Sequence, residues 1–337
     1  MPKAPGGGAS PRAITSGSSS APANPADEIV DAEIVDDDEF VSLEDTEEFV
    51  KALYFGTEST GKTTAAAFMA NLPGDGDVIV INAEAGFKKR PLKALGVRIE
   101  CLKIWNPPGN GVITYEKLER LYFRTAARLR EDPKAVKGVI MDSGTEITNK
   151  ILEAASWTMY EREQRNQKKA DEDKRFSAEV VELQDYGLMT QQMRKLIRKF
   201  RDLPCHFAMT ALETEAQGEG EFSHSKKQAA PEFTPKLRTS ILGYVDVALR
   251  LTSDTLPVGE QEQETLVTAR TKPSALVRGK DRLGVLPRDM PEPRFDRVVD
   301  YVNGDIVWAD DEVFPLYAQV REQAAAFKEQ KAAAKKA

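Results

Sequence analysis

From residue 49 onward, short apolar runs alternate with amphipathic stretches. The runs at residues 49–55, 77–84, 136–143 and 204–211 are apolar at successive positions, with little polar alternation. That pattern belongs to strands buried on both faces. Residues 97–105, 244–251 and 265–270 read as further strands. The stretches between them repeat at the helical period. Residues 64–72 form a helix that stops at Pro73-Gly74. Between 116 and 130, Leu118, Leu121, Tyr122 and Leu129 share one face. Between 185 and 203, Tyr186, Met189, Met193, Leu196, Ile197 and Phe200 share another, with Arg194, Lys195, Arg198, Lys199 and Arg201 opposite. Strands and helices alternating at this spacing predict an α/β fold with a mostly parallel central sheet flanked by helices.

The pattern lapses in four places. Residues 1–46 combine a Gly/Ser/Pro/Ala segment with an acidic tract around Asp36-Asp37-Asp38-Glu39, and read as a disordered acidic tail. Residues 160–179 hold six basic and six acidic side chains and read as a solvated insertion. Residues 212–236 show no periodicity and read as a long loop. From about Asp311 the chain reads as a C-terminal helix, acidic at its start and Lys/Ala-rich at its end. The expected organisation is a tail over 1–46, an α/β core over 47–310, and a terminal helix with a basic end over 311–337.

Composition narrows the function classes. The chain has 337 residues, 41% of them hydrophobic, which is ample for a core. No apolar run approaches a membrane span, and the N-terminus lacks a hydrophobic signal core, so a cytoplasmic protein is expected. Cys101 and Cys205 lie in apolar stretches and read as buried thiols; His206 and His224 form no metal-ligand pattern with them. The net charge is −7, yet residues 1–50 alone carry −10, which leaves +3 for the remainder. Any nucleic-acid contact must therefore come from a local basic patch.

The chemistry is concentrated in Gly56-Thr57-Glu58-Ser59-Thr60-Gly61-Lys62-Thr63-Thr64, which fits G-x-x-x-x-G-K-[ST] at every fixed position. It lies between a predicted strand and a predicted helix, the context this phosphate-binding loop requires. The glycines let backbone N–H groups turn around a phosphate, and the helix start aims its positive end at the same anion. Lys62 is expected to reach the β/γ-phosphates of ATP, and the Thr63 hydroxyl to bind Mg²⁺. Asp142 ends an apolar strand, where a carboxylate suits the Mg²⁺ role of a Walker B acid. Glu84 ends a neighbouring strand and is the candidate for activating water against the γ-phosphate. Thr210 ends the strand after the basic helix and is the candidate γ-phosphate sensor.

At these residues a family resemblance appears. Val80-Ile81-Asn82-Ala83-Glu84-Ala85 is similar to the RecA-family strand that carries the catalytic glutamate, and Val139-Ile140-Met141-Asp142-Ser143 to that family's Walker B strand. With Gln184-Asp185-Tyr186-Gly187 and Arg278-Gly279-Lys280-Asp281-Arg282, residues 48–285 resemble the phage-encoded RecA-like ATPases of the Sak type, which anneal single strands. The resemblance implies a RecA-like core, ATP bound between subunits of a ring or filament, and Arg270 and Lys272 reaching across to the γ-phosphate. It also implies single-stranded DNA at loops near 155–182 and 212–236, with Lys226, Lys227 and Arg238 as candidate contacts. A single-stranded-DNA-binding protein is an implied partner, and host cytoplasm the implied location. A P-loop DNA motor (helicase or packaging ATPase), a small-molecule P-loop kinase and a nucleotide-gated scaffold remain alternatives.

Overall fold

In a computed structural model of the chain, the described residues are 48–109, 111–166, 174–217, 227–259, 263–306 and 315–334. The predicted acidic tail, Lys226 and the predicted start of the C-terminal helix fall outside them. The strands are β1 (Lys51–Gly56), β2 (Asp77–Asn82), β3 (Leu102–Ile104), β4 (Val136–Asp142), β5 (His206–Gln217), β6 (Lys227–Pro231), β7 (Val247–Pro257), β8 (Gln263–Arg270), β9 (Lys280–Asp281) and β10 (Asp289–Pro291). The helices are α1 (Lys62–Ala67), α2 (Lys89–Ala94), α3 (Tyr115–Glu131), α4 (Gly144–Gln164), α5 (Leu183–Arg201), α6 (Pro235–Tyr244), α7 (Phe295–Asn303) and α8 (Pro315–Ala334).

The sheet runs β10-β8-β7-β1-β5-β4-β2-β3. Every pairing from β3 through to β7 is parallel, while β8 and β10 extend the sheet antiparallel beyond β7. The expected mostly parallel α/β sheet is therefore present. Its strands are apolar at successive positions because both faces are covered. Leu53, Phe55, Ile79, Ile81, Met141, Phe207 and Met209 face a core built with α3, α4, α5 and α6. Ala52, Tyr54, Val78, Val80, Ile140 and Ala208 face a second core built with α1 and α7. The period-2 reversal of side chains along each strand divides them between the two layers.

Several expectations need correction. Residues 212–236 are not one loop. β5 continues to Gln217, pairs antiparallel with β6, and α6 starts at Pro235. Nonperiodic sequence hid the hairpin because the residues it buries, among them Ala216 and Ala230, are small and give little apolar alternation. Of the strand expected over 97–105, only Leu102–Ile104 is strand, preceded by a 3-10 turn. Tyr244 closes α6 instead of opening a strand, and α7 was not anticipated.

The charge-rich stretch is also less solvated than expected. α4 extends to Gln164, and the Arg175 side chain is fully buried. Its guanidinium donates to Asp185 at 2.8 Å, to the Val180 carbonyl at 3.0 Å and to Ser156 Oγ at 3.2 Å. Burial pushes the Asp185 carboxyl up, but hydrogen bonds from Arg175 and the Glu182 backbone hold it below its usual value. Glu182 at 3.2 Å and Glu163 at 3.5 Å still face the buried Arg175 once Asp185 is removed, so Asp185→Ala is expected to lower unfolding free energy by about 3 kcal/mol, the low end for a broken buried pair, in denaturant titration. A loss below 1 kcal/mol would contradict the buried pairing.

His206 is a strand residue, as expected. Its Nδ1 accepts from the Val50 N–H at 3.1 Å, and its ring packs edge-on against Phe49 and Phe295. Burial pushes its pKa down to about 4 from the usual 6.5. The folded state keeps it neutral while the unfolded chain takes up a proton, so stability falls as pH drops from 6.5 towards 4. By pH 5 the loss from this group is about 2 kcal/mol. In denaturant unfolding, the stability lost between pH 7.5 and pH 5 should be greater for wild type than for His206→Asn by that amount; equal losses would rule it out.

Candidate active site

β1 and β4 end on either side of β5, which carries Thr210 beside their ends and runs on to Gln217, so Thr210 does not end its strand as expected. The register pairs Asn82 with Asp142, Met141 with Met209, and Gly56 with Leu212. The loop after β1, the acid ending β4 and the polar residue on β5 are thereby drawn together from distant parts of the chain. The loop turns through Ser59 and Gly61, both at positive φ, with Gly61 at 83°. At Gly56 a Cβ would lie 2.6 Å from the Leu251 carbonyl of β7, so this position has no room for a side chain. Thr60 Oγ1 donates to the Thr57 carbonyl at 2.9 Å and closes the loop on itself.

Lys62 opens α1. Its Nζ donates to the Gly56 carbonyl at 3.0 Å and the Thr57 carbonyl at 2.6 Å, so the ammonium lies folded over the loop. Burial lowers its pKa, opposed by the carboxylates of Glu84, Asp142, Glu58 and Glu213 in that order. Thr63 Oγ1 lies 2.9 and 3.1 Å from the two oxygens of Asp142. Thr210 Oγ1 donates to the same carboxylate at 2.6 Å. Burial pushes the Asp142 carboxyl above its ordinary value, the two threonine hydrogen bonds pull it back, and the nearby Glu84 adds to the rise.

Glu84 follows β2. Its own backbone N–H and that of Ala83 point to the Asp142 carbonyl, and its carboxylate accepts from Ser143 Oγ. Ser143 also caps α4, accepting from the Glu146 N–H at 3.2 Å. Ser143-Gly144-Thr145-Glu146 is the S-x-x-E pattern of a capping box, a local signal from which the cap, though not the contact with Glu84, was readable. Gly86 was missed. A Cβ there would sit 3.1 Å from Asp142 Oδ2 and 3.4 Å from Thr63 Oγ1, so the backbone crosses directly beside the acid. Glu213 and Arg250 were also missed. They form a two-pronged pair at 2.7 and 2.9 Å that bridges β5 to β7 across the end of β1.

These residues suit Mg²⁺ and a nucleotide phosphate. A hydroxyl and a buried carboxylate are adjacent, a glycine leaves the space beside them open, and the Asn82 side-chain oxygen, one strand over, is buried without a hydrogen-bond partner. Thr63 and Asp142 would hold the ion, which would supply charge neutralisation at the phosphates.

The other predicted residues are bonded elsewhere, although β8, which carries Arg270, packs against the loop through Val267. Arg270 pairs with Asp289 at 2.8 Å, and Lys272 with the buried Asp281. Both cations are engaged within the chain. Lys227 pairs with Glu215 at 2.6 Å on the exposed β5–β6 hairpin. Arg238 is turned inward, donating to the carbonyls of Pro231 at 2.8 Å and Phe233 at 2.9 Å. Phe233 is buried in the core, whereas Trp157 and Phe176 are exposed. Cys101 and Cys205 are free and buried, as expected. Among the described residues no helix is long and apolar enough to cross a membrane, and no group of three or more His, Cys, Asp or Glu forms a metal cluster.

No curated protein matches the chain. A family model described as an AAA domain matches residues 48–283, from the strand before the phosphate loop to beyond β9. That match takes in Lys62, Glu84, Asp142 and Thr210 together and covers more than half of the sequence, so the chain belongs to the AAA domain family.

Proposed function

We propose that this chain hydrolyses ATP with Mg²⁺ and couples the turnover to single-stranded DNA, assisting annealing or recombination. The carrying observation is the convergence on Asp142. Thr63 and Thr210 both bond its carboxylate, and Glu84 lies against the residue that follows it. In this reading the loop N–H groups and Lys62 bind the phosphates, with the ammonium exchanging its loop carbonyls for phosphate oxygens. Glu84 orients a water and accepts its proton, and Ser143 holds the Glu84 carboxylate in position. Thr210 responds to the occupied site and lies on β5, the strand that leads into the hairpin.

The single-stranded DNA part of the proposal is supported by the resemblance to RecA-like annealing ATPases and by a mildly basic chain after residue 50. A ring or filament, with Arg270 and Lys272 redirected to a neighbour's nucleotide, belongs to the same reading. Their carboxylate partners would first have to release them.

Lys62→Ala is expected to abolish ATP turnover, and single-stranded DNA to stimulate the wild type less at higher salt. Turnover indifferent to DNA would keep the ATPase and remove the nucleic-acid coupling. Glu84→Gln should bind ATP normally but turn over 10²- to 10⁴-fold more slowly, the range for a lost general base; near-wild-type kcat would remove Glu84 from that role. Ser143→Ala should lower kcat about five-fold with little change in KM, the rate equivalent of a hydrogen bond of about 1 kcal/mol. It should also cost about 1 kcal/mol of stability through the lost cap. Loss of stability with unchanged kcat would leave Ser143 as a cap alone.

A further inference from the structure

The outer face of α5 is not uniformly solvated. Of its five basic residues, Lys199 pairs with Glu119 and Arg201 with Asp202. Arg194 and Arg198 are exposed and take part in no side-chain ion pair among the described residues, and the same holds for Lys236 on α6. These three cations, with Lys195, line a groove of about 870 Å³ between α5 and α6, and among the described residues no acidic side chain lines it. A further hollow of about 690 Å³ continues it past Arg194, Lys236 and Tyr244.

The groove also carries aromatic surface. Tyr186 is 42% exposed where α5 begins, and Tyr244 lies where α6 ends. The Arg201 guanidinium sits over the Tyr244 ring at 5.2 Å from its centre. Like charges one helical turn apart destabilise a helix. Arg194 and Arg198 have that spacing, about 6 Å along the axis, close to two stacked nucleotide steps of roughly 3.4 Å each. A row of unpaired cations at this interval, with rings at both ends, matches the chemistry of a single-stranded nucleic acid: cations follow the phosphodiester backbone and rings stack on unpaired bases.

We infer that the α5–α6 groove binds single-stranded nucleic acid through Arg194, Arg198 and Lys236, with Tyr186 and Tyr244 as stacking surfaces. This rests on the proposed coupling to single-stranded DNA and locates that contact away from the hairpin residues singled out from the sequence. Binding at this groove is governed by the backbone, falls with salt and tolerates any base sequence.

The test is fluorescence anisotropy of a labelled oligothymidylate with the full chain at several salt concentrations. Arg194→Ala/Arg198→Ala should weaken binding more than ten-fold and reduce the slope of log affinity against log salt by about 1.4, or about 0.7 per cation removed. Lys236→Ala should reduce it by about 0.7. Circular dichroism and the thermal midpoint establish that the variants fold. If wild type binds and the variants bind equally well with the same slope, the groove assignment is wrong while the proposed function stands. If wild type hydrolyses ATP but binds no oligothymidylate, the coupling to single strands fails and the groove assignment with it. If polyglutamate binds instead, and the same substitutions abolish it, the groove takes an acidic protein segment and the nucleic-acid assignment is overturned.

Discussion

The hydrogen-bonded carboxylate of Asp142 is the constraint on which the site depends. It ends β4, receives Thr210 from β5, and receives Thr63 from the helix that follows β1. Its exposure is 1%, so its charge is held by those hydroxyls rather than by water. An ionised carboxylate in so dry a place requires donors or a cation beside it. The strand order supplies the donors, because β5 lies between the strand that leads into the phosphate loop and the strand that ends in the acid.

The same region ties the nucleotide site to the surface elements. Thr145, in the first turn of α4, accepts from the Leu212 N–H at 3.1 Å, and Thr210 precedes that residue by two positions on β5. Past Glu213, fixed to Arg250, the strand leaves the sheet and pairs with β6. Any displacement at Asp142 therefore acts on one continuous strand, held at Thr210, Leu212 and Glu213 before it reaches the hairpin. The hairpin residues are held by local pairing, as Lys227 is with Glu215. The unpaired cations Arg194, Arg198 and Lys236 lie instead on α5 and α6, two helices packed against each other.

Buried charge separates two kinds of basic residue in this fold. Arg175 and Arg238 spend their donors on carboxylates or carbonyls inside the molecule, and their substitution would act through stability. Arg194 and Arg198 project from a helix whose other face, including Met193 and Phe200, is fully buried. Their charges meet no counter-charge within the described chain and add little to the fold, since an exposed ion pair contributes at most about 1 kcal/mol even when it is formed.

The sequence by itself determined what is local. Gly56 to Thr64 specifies a phosphate loop because each fixed position answers a backbone or ligand requirement within nine residues. The apolar runs specified buried strands, and the period of residues 185–203 specified an amphipathic helix. The tertiary structure alone decided what depends on register and partner choice. Asp142 meets Thr210 across 68 residues, and Ser143 meets Glu84 across 59. The charge-dense stretch gave no sign of which arginine would be buried, because composition is blind to the pairing of Arg175 with Asp185. The basic face of α5 became a groove only when α6, a helix absent from the sequence expectations, placed Lys236 and Tyr244 opposite it. Periodicity records which side of an element is buried; what stands across from the other side is fixed by strand order and packing.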